Sequence, residues 1–125
     1  AGFSMSIIPH QNNLALIKVE KNGLKSRGFV DFEKIKLAEP VFMAGTDFAA
    51  AMSSTTSPQN TVNAGIITAF NKDLIETNIF EKKNISGSPL FDIEGKIVGL
   101  SVIDQISGGR VSAIPIDIIR TFAGF

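Results

Sequence analysis

Apolar and polar residues alternate along most of this chain, and no long stripe with a helical period appears before its C-terminal end. Alternation with a period of two is typical of half-buried β-strands. The pattern predicts strands at residues 3–8, 14–20, 40–44, 62–70, 89–92, 96–103 and 110–114. Near the end, Pro115 precedes isoleucines and a phenylalanine at helical spacing, which predicts a short terminal helix that begins at this proline.

Turn-forming residues separate these strands, at Asn12-Asn13, Asn22-Gly23, residues 92–95 and Ser107-Gly108-Gly109. Residues 91–98 are predicted to form a hairpin in which Gly95 supplies the positive φ. Residues 47–60, rich in Ala, Ser and Thr, are expected to form an exposed loop. Short strands joined by regular turns indicate an all-β barrel or sandwich.

The composition excludes several classes of function. The 125 residues carry 12 basic and 12 acidic side chains, so no basic field for nucleic acid or anionic lipid is expected. The absence of cysteine excludes disulfides, thiolate nucleophiles and zinc knuckles. No apolar run is long enough to predict a membrane span, and the first residues read as a strand inside a domain rather than as a leader. We expect no metal and no cofactor, since His10 is the sole histidine and a stable site needs several ligands.

The most informative segment is Asn-Ile-Ser-Gly-Ser-Pro-Leu-Phe at 84–91, followed by Gly95 and an apolar strand. It resembles the nucleophile loop of trypsin-like serine proteases, whose usual form is Gly-Asp/Asn-Ser-Gly-Gly-Pro-Leu. Five further segments resemble, in order, those of the HtrA/Deg branch of that family. They are Asn-Asn-Leu-Ala-Leu-Ile-Lys-Val at 12–19, Pro-Val-Phe-Met-Ala-Gly at 40–45, Val-Asn-Ala-Gly-Ile-Ile-Thr-Ala-Phe at 62–70, Glu-Thr-Asn at 76–78 and Val-Ser-Ala-Ile-Pro at 111–115.

The resemblance implies an all-β fold: an antiparallel Greek-key β-barrel of the trypsin type with a short C-terminal helix. Residues 1–45 would form the end of a first barrel and the crossover, and residues 46–125 the second barrel and the helix. The two leading strands would then have open edges. We expect them to pair with residues outside this chain, with another copy, or with each other. The family also implies an extracytoplasmic location, in the periplasm or cell envelope.

For the catalytic groups, the resemblance assigns Ser86 as the nucleophile and places Asn13 where the family has its orienting aspartate. An Asp-to-Asn exchange in a working triad costs about four powers of ten in turnover. The family's histidine belongs to a segment before this chain, and His10 does not match it. The oxyanion donors would be the N–H groups of Asn84, which replaces a glycine, and of Ser86.

For the substrate, the resemblance implies an extended peptide or unfolded polypeptide added as a strand along residues 100–104. The residues concerned are Leu100, Val102, Ile103 and Asp104, with Ile79, Phe80 and Val102 as walls of an apolar first pocket. Taken singly, each of these is also explained as an ordinary core residue. A serine endopeptidase is the leading interpretation, with its base supplied by a missing N-terminal half or another subunit. The alternatives are an inactive protease-like module that binds peptides or assembles with partners, and an unrelated barrel in which Ser-Gly-Ser-Pro is only a turn.

Overall fold

The computed structural model of the chain describes residues 5–10, 14–19, 22–23, 25, 28–47 and 57–124. Its first sheet contains two antiparallel strands, β1 (Met5–His10) and β2 (Leu14–Val19). They run from the pair Met5 and Val19 to the pair His10 and Leu14. Of the three pairings that the sequence left open for these strands, the structure shows the pairing with each other.

The remaining strands close into a six-stranded antiparallel barrel, and this confirms the predicted fold class. The strands are β3 (Pro40–Asp47), β4 (Gln59–Phe70), β5 (Ile75–Phe80), β6 (Pro89–Phe91), β7 (Ile97–Asp104) and β8 (Arg110–Pro115). Their order around the barrel is β3-β4-β5-β8-β7-β6, so β5 pairs with β8 instead of with its successor in the chain, as in a Greek key. A short 3-10 helix (Phe32–Lys34) precedes the barrel, and α1 (Ile116–Ala123) follows it.

Alternate residues of the barrel strands point inward and form one hydrophobic core. The side chains that are fully buried include Val41, Met43, Ile67, Ile75, Leu90, Val98 and Val111. Strand β5, which the sequence did not predict, also follows this alternation, with Thr77 between the two buried isoleucines of the strand. The Thr77 hydroxyl donates to the Val111 carbonyl at 2.6 Å and accepts from the Ile79 N–H at 3.1 Å. Both bonds compensate the burial of this polar group.

Two predicted boundaries differ from the structure. Strand β3 continues to Asp47 and β4 begins at Gln59, so both ends of the loop expected at 47–60 belong to strands. Residues 48–56 lie outside the described residues. The closed barrel includes all of β3, from Pro40 to Asp47.

The hairpin and the terminal helix have the predicted form. Gly95 has φ +79° and its N–H donates to the Asp92 carbonyl at 3.0 Å, between the paired strands β6 and β7. Pro115 is the N-cap residue of α1, and Gly124 ends this helix in the left-handed conformation, with its N–H bonded to the Arg120 carbonyl. None of the helices in the described ranges has the length and apolar character that crossing a membrane requires.

Candidate active site

Ser86 lies at the end of a β-bulge against strand β7. The Gly87 N–H donates to the Ser101 carbonyl at 2.7 Å, and the Ser101 N–H donates to the Ser88 carbonyl at 2.8 Å. Two residues of one strand therefore oppose a single residue of the other, which defines a bulge. Gly87 has φ +91°, a backbone conformation that glycine adopts without a steric cost. The bulge fixes the backbone that presents Ser86.

A second set of hydrogen bonds, to the Ile85 carbonyl, also holds the bulge. Ile85 is buried in the core, and its carbonyl accepts from both the N–H and the hydroxyl of Ser88, at 3.1 and 2.6 Å. The Ser88 hydroxyl also lies so close to Gly45 that a Cβ there would collide with it. Ser88, which replaces the second glycine of the usual family motif, thus fits because the facing residue is itself a glycine.

The segment that leads to Ser86 is anchored through Glu81, whose residue is only 8% exposed. Its carboxylate accepts from the Asn63 amide at 3.0 Å and from the Lys83 N–H at 3.2 Å. Its main-chain N–H donates to the Gly109 carbonyl at 2.8 Å. These bonds join the segment to β4 and to the turn between β7 and β8.

Ser86 is exposed and lines an open cavity of about 370 Å³. The other lining residues are Leu14, Gly87, Leu100, Ser101, Val102 and Ile114. The Ser86 hydroxyl oxygen accepts a hydrogen bond from the Ile103 N–H at 3.0 Å. The serine is therefore accessible, but in this conformation its oxygen is engaged by strand β7.

Ser101, the residue of β7 that bonds the bulge, carries a buried hydroxyl that the sequence did not indicate. The residue is 2% exposed, and its hydroxyl has no hydrogen-bond partner among the residues that the structure describes. A buried hydroxyl without a partner costs about 1–3 kcal/mol. The period-two alternation of β7 was the only available signal for this burial, because it places Ser101 on the same side of the strand as Ile103, whose side chain lies in the core.

The expected oxyanion donors have an unusual local backbone. Asn84 does not adopt the left-handed conformation; Ala38, with φ +64°, is the only described non-glycine residue with a positive φ. The N–H of Ile85 donates to the Lys83 carbonyl at 2.9 Å, which closes a tight turn around Asn84. Within the described part of the chain, the N–H groups of Asn84 and Ser86 donate to no acceptor.

The predicted substrate residues separate into two groups. Leu100 and Val102 line the Ser86 cavity, and Ile103 reaches Ser86 through its main chain. The side chains of Ile79 and Ile103 lie in the barrel core, at 1% and 8% exposure. The structure does not bring the Ile79 side chain to the cavity.

The outer face of the barrel carries the other predicted substrate residues. Phe80 is 52% exposed, and the guanidinium of Arg110 lies 5.6 Å from its ring centroid. Arg110 is the register partner of Phe80 on β5 and of the exposed Asp104 on β7. These three residues therefore lie side by side on adjacent strands, and none of them lines the Ser86 cavity.

Asn13 lies outside the described residues, but the residue that follows it, Leu14, lines the Ser86 cavity. Leu14 is also the register partner of His10 at the end of the first hairpin. Over the described residues, no three His, Cys, Asp or Glu side chains form a group that would hold a metal.

Comparison with known sequences identifies relatives of this chain. The family model of the trypsin-like peptidase domain matches residues 4–100. The chain is 30% identical over 127 residues to serine protease HTR4 of Bos taurus, which aligns with 92% of this chain and 25% of the relative. It is also 30% identical over 125 residues to a probable periplasmic serine endoprotease DegP-like of Halomonas elongata, covering 90% of this chain and 25% of that protein. The chain thus spans about a quarter of the length of these curated relatives.

Solved structures show the same fold. An HtrA-type protease AlgW with decapeptide superimposes with a TM-score of 0.76 at 22% identity, covering 96% of this chain and 39% of the other. Deg5 superimposes with a TM-score of 0.69 at 20% identity, covering 94% and 57%. Together with the bulge that presents Ser86 beside β7, the family match and these relatives show that the chain belongs to the trypsin-like peptidase family, in its HtrA branch.

Proposed function

We propose that this chain provides the second barrel and the nucleophile, Ser86, of an HtrA-type serine endopeptidase that acts on extended or unfolded polypeptide. The observation that carries the proposal is the position of Ser86, on a glycine bulge at the mouth of an open cavity beside β7. A serine nucleophile must be accessible and held in place by its surroundings, and the exposure of Ser86 and the hydrogen bonds of its bulge support this role.

The main chain of β7 supports peptide binding at this cavity. Along a strand, successive residues direct their N–H and C=O groups to opposite sides. Ser101 bonds to the bulge, whereas the Asp104 carbonyl accepts from the Gly109 N–H on the side of β8. The N–H and C=O of Ile103 therefore face away from β8, toward Ser86. A peptide strand would pair with these groups, and alternate side chains would enter the cavity lined by Leu100 and Val102.

The base must come from outside the chain under this proposal. Ser86 needs an imidazole to accept its proton, and a partner to orient that imidazole. The chain spans about a quarter of its relatives' length, and a longer protein or a second subunit would supply the histidine. The residue that would orient it, Asn13, has no charge to stabilise an imidazolium.

A second candidate function is a peptide-binding module without proteolytic activity. The hydrogen bond from Ile103 N–H to the Ser86 oxygen favours this function, as does the tight turn at Asn84, where an active oxyanion hole requires converging N–H donors. Asn13 in the place of the aspartate points the same way. Peptide binding at β7 is common to both candidates, and catalysis separates them.

A fluorophosphonate probe on the full-length protein tests the proposal, because such probes react with activated serines. An endopeptidase is expected to be labelled as wild type and as Ser107→Ala, an exposed serine in the turn after β7, but not as Ser86→Ala. Peptide binding with no labelling would establish the inactive module. Labelling that persists in Ser86→Ala would show that the nucleophile has been assigned to the wrong residue.

A further inference from the structure

We propose that the Ile103 N–H is a switch, bonded to the Ser86 oxygen in the free protein and transferred to a substrate carbonyl when a peptide binds. This inference rests on the proposed peptide binding along β7 and concerns the regulation of that site. Its basis is the 3.0 Å hydrogen bond between the Ile103 N–H and the Ser86 hydroxyl oxygen. The donor in this bond is a main-chain group of the strand edge that a peptide would need.

Ile103 is the last residue of β7 that offers main-chain groups on this side. Ser101, the preceding residue with the same orientation, is already bonded through both its N–H and its C=O to the bulge. Asp104 faces β8, and the strand ends there, followed by a turn at residues 105–108. A peptide that extends the sheet at β7 must therefore pair with Ile103.

The N–H of Ile103 carries a single hydrogen, so Ser86 and a peptide carbonyl compete for it. The backbone around Ser86 does not need to move for the exchange. Ser88 is bonded to Ile85, and Gly87 to Ser101, so the bulge stays in place while the Ser86 side chain rotates about χ1. Ser86 is exposed, and rotamer changes of exposed side chains take picoseconds to nanoseconds.

The exchange changes the state of the nucleophile. While it accepts the Ile103 N–H, the oxygen has one lone pair occupied and is a weaker nucleophile. When a peptide takes the N–H, this lone pair is released beside the bound main chain. Substrate binding and loss of the Ile103–Ser86 hydrogen bond are then one event. In the free protein, this bond holds the Ser86 hydroxyl.

Peptide affinity of the full-length protein gives the test, with a fluorescein-labelled decapeptide that has valine at alternate positions as the probe. Ser86→Ala removes the competing acceptor and is expected to bind the probe about threefold to tenfold more tightly than wild type. Ser86→Cys keeps a side chain of similar size but replaces a good acceptor by a weak one, and a similar gain is expected. Ser107→Ala, a hydroxyl that bonds the Asp104 carbonyl and not Ile103, should leave the affinity within about twofold.

Hydrogen exchange at the Ile103 amide gives a second readout. Without peptide, this amide should exchange faster in Ser86→Ala than in wild type, and with saturating peptide it should be equally protected in both. Equal affinity of Ser86→Ala and wild type would refute the switch while leaving peptide binding intact. A gain in Ser86→Ala that is absent in Ser86→Cys would show that the side chain only obstructs the peptide, and would also refute it. Failure of every variant to bind the probe would overturn the proposed function, and the switch with it.

Discussion

The turn between β7 and β8 contains two adjacent glycines that should respond very differently to the same substitution. Gly108 and Gly109 have similar φ values of +83° and +95°. A Cβ at Gly108 would have nothing within 4 Å, whereas one at Gly109 would collide with the main-chain carbonyl of Glu81. Alanine at either position requires a left-handed backbone, but only at Gly109 does it also displace the segment that leads to Ser86.

The magnitudes follow from these contacts. The left-handed conformation costs a residue with a Cβ about 1–2 kcal/mol, and we expect Gly108→Ala to destabilise the barrel by that amount. Gly109→Ala carries the same cost and, in addition, weakens the 2.8 Å bond from the Glu81 N–H to the Gly109 carbonyl. Such a bond contributes about 1 kcal/mol, and bonds to the buried Glu81 carboxylate about 1.5–3 kcal/mol. Displacement of Glu81 therefore brings the expected loss for Gly109→Ala to about 3.5–6 kcal/mol.

Native-state hydrogen exchange of the full-length proteins measures this difference, because the slowest amides of β4, β5 and β8 report the free energy of opening the barrel alone. Gly109→Ala should lower that free energy by at least about 2 kcal/mol more than Gly108→Ala. Equal losses in the two variants would show that the Gly109–Glu81 contact does not constrain the barrel, and the account of how this segment is anchored would be wrong.

Two further substitutions test the anchor and the missing charge. Asn63→Ala removes the amide that donates to the buried Glu81 carboxylate, and we expect the free energy of opening the barrel to fall by about 2–4 kcal/mol. As the control, Asn60→Ala replaces an exposed asparagine of the same strand and should change this free energy by about 1 kcal/mol or less. Similar losses in the two variants would contradict the claim that Asn63 anchors Glu81. If the proposed triad is correct, Asn13→Asp in the full-length protein should raise the fluorophosphonate labelling rate by up to about four powers of ten, and Asn12→Asp should not; an equal rate in wild type and Asn13→Asp would remove position 13 from the mechanism.

Local patterns were sufficient to predict most of the strands and failed at β5. Period-two alternation is clearest in β8, where Val111 and Ala113 occupy the inward positions between the outward Arg110 and Ser112. In β5 the central inward residue is Thr77, flanked by Glu76 and Asn78, and the strand then reads as a polar segment. The hydroxyl is accommodated by the Val111 carbonyl, 34 residues away. A contact so distant in sequence cannot be inferred from local periodicity.

The candidate site was predictable only where it is local. The motif around Ser86 and the positive φ of Gly87 follow from adjacent residues. The anchor between Asn63 and Glu81 joins residues 18 positions apart, and no pattern in either segment indicates it. For the pocket, the sequence left open which face of β5 is inward; the structure buries Ile79 and exposes Phe80.

The bulge at Gly87 explains why one serine is both presented and restrained. Strands β6 and β7 pair Pro89 with Leu100, and the same register continued would place Ser86 opposite Ile103 as a ladder pair, bonded main chain to main chain. Because Gly87 and Ser88 share Ser101 as their partner, the main chain of Ser86 leaves that ladder. The Ser86 N–H is then without an acceptor in the described structure, as the proposed oxyanion donor must be. The Ile103 N–H donates to the Ser86 hydroxyl oxygen instead of to the Ser86 carbonyl. The positive φ of one glycine thus accounts for the exposed serine, the N–H without an acceptor and the bond from Ile103 together. Under the proposed function, the contact that restrains the serine comes from the same geometry that presents it.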